Sequence, residues 1–282
     1  MFAASDSTNV AKSRDSWPVP FRCIETNGSD KKAHQGVFIV QGTNLRVSNI
    51  SLSIDRTTGE VTAAPIQLET SIDVSPEWLK VAIDHAVTAA EIEDEAEVAH
   101  HAGDDTALGT QLRQVMREGM QAIAAAAFAI EGFQDGVQAR MPVPDTLLQT
   151  WRANGTAQHT RVAETLRRVT RVTNKQSQAL ATITADVFRF RRMAVHPSAQ
   201  FASPAHHPRF GRTMEHKFAA FRAENAAAST QLAVELIAFC VGHPKRPSDG
   251  YREWLMAQQS TLDSVVAAWP PRFDPLRLSA DE

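Results

Sequence analysis

Apolar and polar residues alternate with a period of two between Pro18 and Thr70. Val37 and Ile39, Leu45 and Val47, then Ile50, Leu52 and Ile54 are followed by Val61, Ala63, Ile66 and Leu68. Residues two apart share one face of a strand, so this spacing predicts short strands with an apolar side. Gln41-Gly42-Thr43-Asn44 and Asp55-Arg56-Thr57-Thr58-Gly59 supply turn chemistry between the runs, and the second reads as a hairpin loop. The expectation is a small antiparallel sheet of three to five strands. Because a free hairpin is marginal in water, such a sheet should pack on the helices or pair with a second subunit.

From Ser75 onward the period changes to that of helices. Ser75-Pro76-Glu77 has a capping hydroxyl, a proline for the first turn and an acid where the helix dipole favours it, and predicts a helix towards His101. That helix carries Glu77, Asp84, Glu91, Glu93, Asp94, Glu95 and Glu97 against Lys80, with Asp104 and Asp105 following, and reads as a solvated acidic face and loop. A second helix, about Thr106 to Arg140, sets Leu108, Leu112, Val115, Met116, Met120, Ile123, Ala127, Ile130, Phe133 and Val137 at helical spacing. Its alanine-rich middle lets neighbours come close, and Met141-Pro142-Val143-Pro144-Asp145 stops it.

Beyond Asn154-Gly155, steps of four and three link Val162, Leu166, Val169, Thr173, Gln176, Leu180, Ile183, Val187, Phe190 and Ala194. One helix of roughly nine turns fits this pattern. The polar pair Thr173 and Gln176 leaves open two helices broken near Asn174. A Pro-, Ser- and His-rich loop from Pro197 to Gly211 then leads to an expected long helix, Arg212 to Val241, with Met214, Phe218, Phe221, Ala228, Leu232, Leu236 and Phe239 inside. Gly242-His243-Pro244 ends it, and a last helix runs from about Ser248 to Trp269. The fold class is therefore mainly α, a helical bundle with a small N-terminal antiparallel β-sheet. Its expected parts are a disordered lead-in at 1–17, a β-rich segment at 18–74 and the bundle at 75–282.

Composition narrows the setting. With 282 residues, 43% hydrophobic and 22% charged, the chain can build a sizeable core. A net charge of -3 argues against a globally basic nucleic-acid coat, although a local patch can hide in that sum. Cys23 and Cys240 stand far apart outside any metal-binding spacing, which fits reduced thiols in a cytoplasmic protein without zinc or disulfides. Met1 to Trp17 lacks a signal-peptide core, and no run of eighteen uninterrupted apolar residues occurs, so no membrane partner is expected. His206, His207 and His216 read as loop histidines rather than a metal site, and no residue pattern asks for a cofactor.

Chemistry concentrates at Val187-Phe188-Arg189-Phe190-Arg191-Arg192-Met193-Ala194-Val195-His196-Pro197. Pro197 disfavours the α conformation at His196, which places the histidine at the helix end. At 100° per residue, Arg191 lies roughly 65° from the centre of the apolar face, half-buried with its fork free, while Arg189 and Arg192 point away. Between Arg140 and Arg192, ten Arg and Lys face three Asp and Glu. Arg161, Arg168, Lys175 and Arg189 recur at multiples of seven and suggest a basic stripe for nucleic acid, unless the acidic first helix neutralises it.

Arg191, four residues, then His196 resembles the motif of the HEPN superfamily (higher eukaryotes and prokaryotes nucleotide-binding); Arg189 with His196 matches its widest spacing. The upstream Ala125-Ala126-Ala127-Phe128-Ala129-Ile130-Glu131-Gly132-Phe133 resembles that family's alanine-rich helix with an internal Glu, and the likeness spans about 107–268. It implies a HEPN-like bundle that binds RNA or a nucleotide as a homodimer. In catalytic members, His would move the ribose 2′-hydroxyl or leaving-oxygen proton and Arg would hold the phosphate, without metal. Arg192 stands where catalytic members typically carry Asn or a small polar residue. A non-catalytic dimerisation or binding module, acting with an unidentified protein partner, stays open beside the endoribonuclease. So does a purely structural or capping role for Arg191 and His196.

Overall fold

A computed structural model of the chain describes residues 43–49, 51–63, 67–195, 202–267 and 269. The expectations for 1–42, Ile50, Ile66, and 196–201, including the lead-in, Cys23, Val37, Ile39 and His196, lie outside these residues.

The period-two stretch forms β1 (Thr43–Asn49), β2 (Leu52–Ile54), β3 (Val61–Ala63) and β4 (Gln67–Ile72). Among the described residues they build two antiparallel pairs, β1 with β4 and β2 with β3, which form the small N-terminal β part. Asp55 makes the expected hairpin loop by accepting the amides of Thr57 and Thr58 at 2.7 and 3.2 Å, and Gly59 takes the positive φ that closes it. Leu45, Val47, Leu52, Ile54, Val61, Leu68 and Ile72 remain exposed. The ribbon is tethered at its base, where Asp73 accepts from the Trp254 indole at 2.9 Å and the Gln258 amide at 2.8 Å.

The bundle begins with α1 (Ser75–His101) and α2 (Asp105–Arg140), an antiparallel pair. Ser75 is buried and does not cap α1. Its hydroxyl crosses to the Ala129 carbonyl at 2.9 Å, while Asp73 accepts its amide. Asp104 caps α2 through the amides of Thr106 and Ala107. Small residues along α2 admit its neighbours: Ala122, Ala126 and Ala127 are fully buried, Gly119 lies under the Phe221 carbonyl, and Gly136 lies under the Trp254 ring.

A short α3 (Asp145–Ala153) follows Pro144 and anchors Trp151; its pattern was too brief to predict. The long apolar stripe resolves into two helices, α4 (Gln158–Val169) and α5 (Asn174–Val195). Their junction is stitched to the chain at 243–245, with the Arg171 backbone amide donating to the His243 carbonyl and the Lys245 backbone amide donating to the Val169 carbonyl, both at 2.7 Å.

The expected long helix from Arg212 to Val241 is continuous only from Ala223 onward. β5 (Ala205–His207) and β6 (Arg212–Met214) make a hairpin around Gly211 at positive φ, and the short α6 (His216–Ala220) precedes α7 (Ala223–Gly242). Phe210 drives this turn by burying against Ala96, Ala99, Leu108 and Leu112, and Arg222 in extended backbone separates the two helices. α7 has the length and apolar composition to cross a membrane, yet 61% of that window is buried inside the bundle, as for a core helix. α8 (Asp249–Ala267) closes the core with Tyr251, Trp254, Leu255 and Leu262.

Candidate functional site

The last turns of α5 and the first turn of α4 face each other beside α2. Arg191, half-buried on α5, donates from Nη1 to Glu131 Oε1 at 2.7 Å. Gln158, at the start of α4, donates to the same oxygen at 2.5 Å. The guanidinium lies 4.8 Å from the Phe128 ring centre and 5.7 Å from that of Phe188, within cation–π reach. Burial pushes the Glu131 carboxyl above its ordinary range; the Arg191 charge opposes that shift, and Asp135 adds to it. The half-burial of Arg191 is as expected, but its fork is not free, because the aromatic pair steers one arm onto a partner carried by α2.

Beside this ion pair opens a groove of about 590 Å³, lined by Gln158, His159, Phe188, Arg189, Arg191 and Arg192 among others. Arg189 is exposed, pairs with Asp186 at 3.2 Å and lies 5.3 Å from the Phe190 ring centre. Arg192 is exposed. Ala157 precedes α4 without a side-chain cap, so the first amides of that helix add partial positive charge on the same side. Three guanidiniums, an imidazole and the amides of a helix start without a side-chain cap can hold a phosphate or another oxyanion.

The remaining basic residues are divided between two helices. Arg161 and Arg168 project from α4, and Lys175 lies in the first turn of α5, about 20 Å along that helix from Arg189 by its rise per residue. Arg168 is 3.9 Å from Glu164, which Arg167 also grips through two bonds of 2.7 Å. Arg167 and Arg168 line a second, smaller groove of about 370 Å³ with Lys245.

Three acids on the α1 face are engaged away from α4 and α5. Glu93, Asp94 and Glu97 converge on Arg209 at the tip of the β5–β6 hairpin, at 3.3, 2.7 and 2.6 Å. Burial works against that guanidinium charge, but the three carboxylates outweigh it and raise its pKa. His207 is no loop residue; its ring is fully buried 4.6 Å from the Phe210 ring centre, and neither nitrogen has a hydrogen-bond partner among the described residues. Burial, then the charges of Arg222 and Arg209, push its pKa down to about 4. The 3.7 Å approach of its Nε2 to Glu93 is therefore not an ion pair at neutral pH. Among the described residues, no group of three or more His, Cys, Asp or Glu could hold a metal.

Of the residues that join the site, Gln158, His159 and Phe128 carry no site signal of their own in the sequence. Glu131 alone had a hint, as the acid that interrupts an apolar alanine-rich run. No protein-family model, curated protein or solved structure matches this chain.

Proposed function

We propose that the groove between α4 and α5 binds the phosphate backbone of single-stranded RNA, and that the chain is a HEPN-like, metal-independent endoribonuclease in which Arg191 and His196 act on the bound phosphate. The convergence of Arg189, Arg191 and Arg192 on one groove supports this reading above all. Val195 lines the same groove, and His196 is the next residue in the chain. Glu131, the internal acid of the alanine-rich helix, fixes the Arg191 guanidinium, so that a phosphate meets a preset donor. Histidine as a residue type suits acid or base work at neutral pH.

A second reading rests on the same ion pair. With Nη1 already held by Glu131, Arg191 can serve the packing of α5 on α2, and the groove then binds nucleotide or RNA without cutting it.

The two readings separate with labelled single-stranded RNA and the full chain in EDTA. The first expects cleavage that His196→Ala abolishes while binding by fluorescence anisotropy survives. It also expects the slope of log affinity against log salt to shrink by about 0.7 for each of Arg189→Ala and Arg192→Ala. Binding without cleavage in the wild type selects the second reading, and no binding even at low salt refutes both.

A further inference from the structure

Among the described residues, the N-terminal ribbon carries apolar side chains that the helical bundle leaves exposed. Directly opposed residues in an antiparallel pair project to the same side. The register Thr43 with Ile72, Leu45 with Thr70 and Val47 with Leu68 therefore builds one face of β1–β4 that is free of charge. Asn44, Glu69 and Ser71 alternate onto the other face. In β2–β3, Leu52 with Ala63 and Ile54 with Val61 build a second apolar face in the same way. Seven of these side chains are 41–64% exposed: Leu45, Val47, Leu52, Ile54, Val61, Leu68 and Ile72.

We infer that this ribbon is a homodimer interface, in which its apolar faces pack against those of a second copy of the chain. Area is the first argument. Over the two faces together, seven Leu, Ile and Val residues at this exposure present on the order of 700 Å², close to the ~800 Å² each partner gives a standard interface. Stability is the second: two-stranded ribbons hold poorly alone in water and gain from a covered face. Chemistry selects the occupant. The faces carry only aliphatic residues and threonine, with no Trp, Tyr or Arg anchor of the sort that marks recognition of an unlike partner. Homodimer interfaces are the more apolar class, and an uncharged face meets its own copy around a twofold axis without mismatched charge. This inference is independent of what the groove binds.

Sedimentation velocity of the full chain at micromolar concentration tests it. The expected species has about twice the 30.9 kDa chain mass, and Val47→Lys combined with Ile54→Lys should weaken the dimer at least tenfold while the far-UV circular dichroism of the helices stays unchanged. Hydrogen exchange of the wild type gives an independent readout: the amides of 43–63 should become more protected as concentration rises. A wild-type monomer at all concentrations overturns the inference and points to another cover for the ribbon. A dimer that the double variant leaves intact, or exchange at 43–63 that ignores concentration, overturns it as well.

Discussion

Arg191 is held by contacts from three helices: the Glu131 carboxylate and Phe128 ring on α2, the Phe188 ring on its own helix, and the Gln158 amide that shares its carboxylate partner. Side chains 23% and 18% exposed keep water within reach of the pair, so it lies between the surface and the interior cases. Arg191→Ala should destabilise the protein by about 1–3 kcal/mol, below the 3–5 kcal/mol of a fully buried pair broken on one side. A urea-unfolding cycle with Glu131→Gln should show coupling of about 1 kcal/mol; additivity within ~0.5 kcal/mol would mean the contact is incidental. The angular position of Arg191 was legible from the helical period. Its partner was not, because Glu131 is 60 residues away and periodicity carries no information on which helix faces meet.

α1, α2 and the two halves of the α4–α5 stripe were readable because each sustains an apolar face over many turns. The segment from Ala205 to Phe221 misled, since Met214, Phe218 and Phe221 have helical spacing while strands of three residues leave no period to detect. What decides there is nonlocal: Phe210 and His207 bury beneath α1, and Arg209 grips its acids. Close packing along α2 gives a sharper test. A Cβ at Gly119 would fall 2.2 Å from the Phe221 carbonyl oxygen, backbone that cannot step aside, whereas one at Gly109 meets nothing within 4 Å. Gly119→Ala should therefore cost about 1–3 kcal/mol or more through overpacking. Gly109→Ala in the same helix should add about 0.5–1 kcal/mol, because alanine loses less backbone freedom. Equal melting temperatures for the two variants would contradict the packing described for α2 and α6.

For the molecule as a whole, the buried imidazole makes stability depend on acidity. Unfolded, His207 takes up a proton near pH 6.5; folded, it resists until about pH 4. The unfolded state thus binds more protons between these values, and stability falls as pH drops through the window. Glu235, pushed up to about 7 by burial, and Glu93, also raised by burial, tilt the balance the opposite way, since their native forms hold protons the unfolded chain has lost. Comparison with His207→Leu isolates the imidazole. From pH 6.5 to 4 the wild type should lose up to about 3 kcal/mol relative to that variant, and parallel profiles would show that the ring is protonated in the fold. The mainly helical class with a minor β part followed from composition and period. How the helices are placed did not, and the interruption at 170–173 shows how much depends on it. Drawn as one uninterrupted rod, the chain would set Gln158 and Arg191 about 50 Å apart at opposite tips. Doubled back on itself and fastened at the crease by Arg171 and Lys245, it delivers both to a single carboxylate oxygen. Lengthening that crease into continuous helix would thus dismantle the groove without touching any residue that lines it.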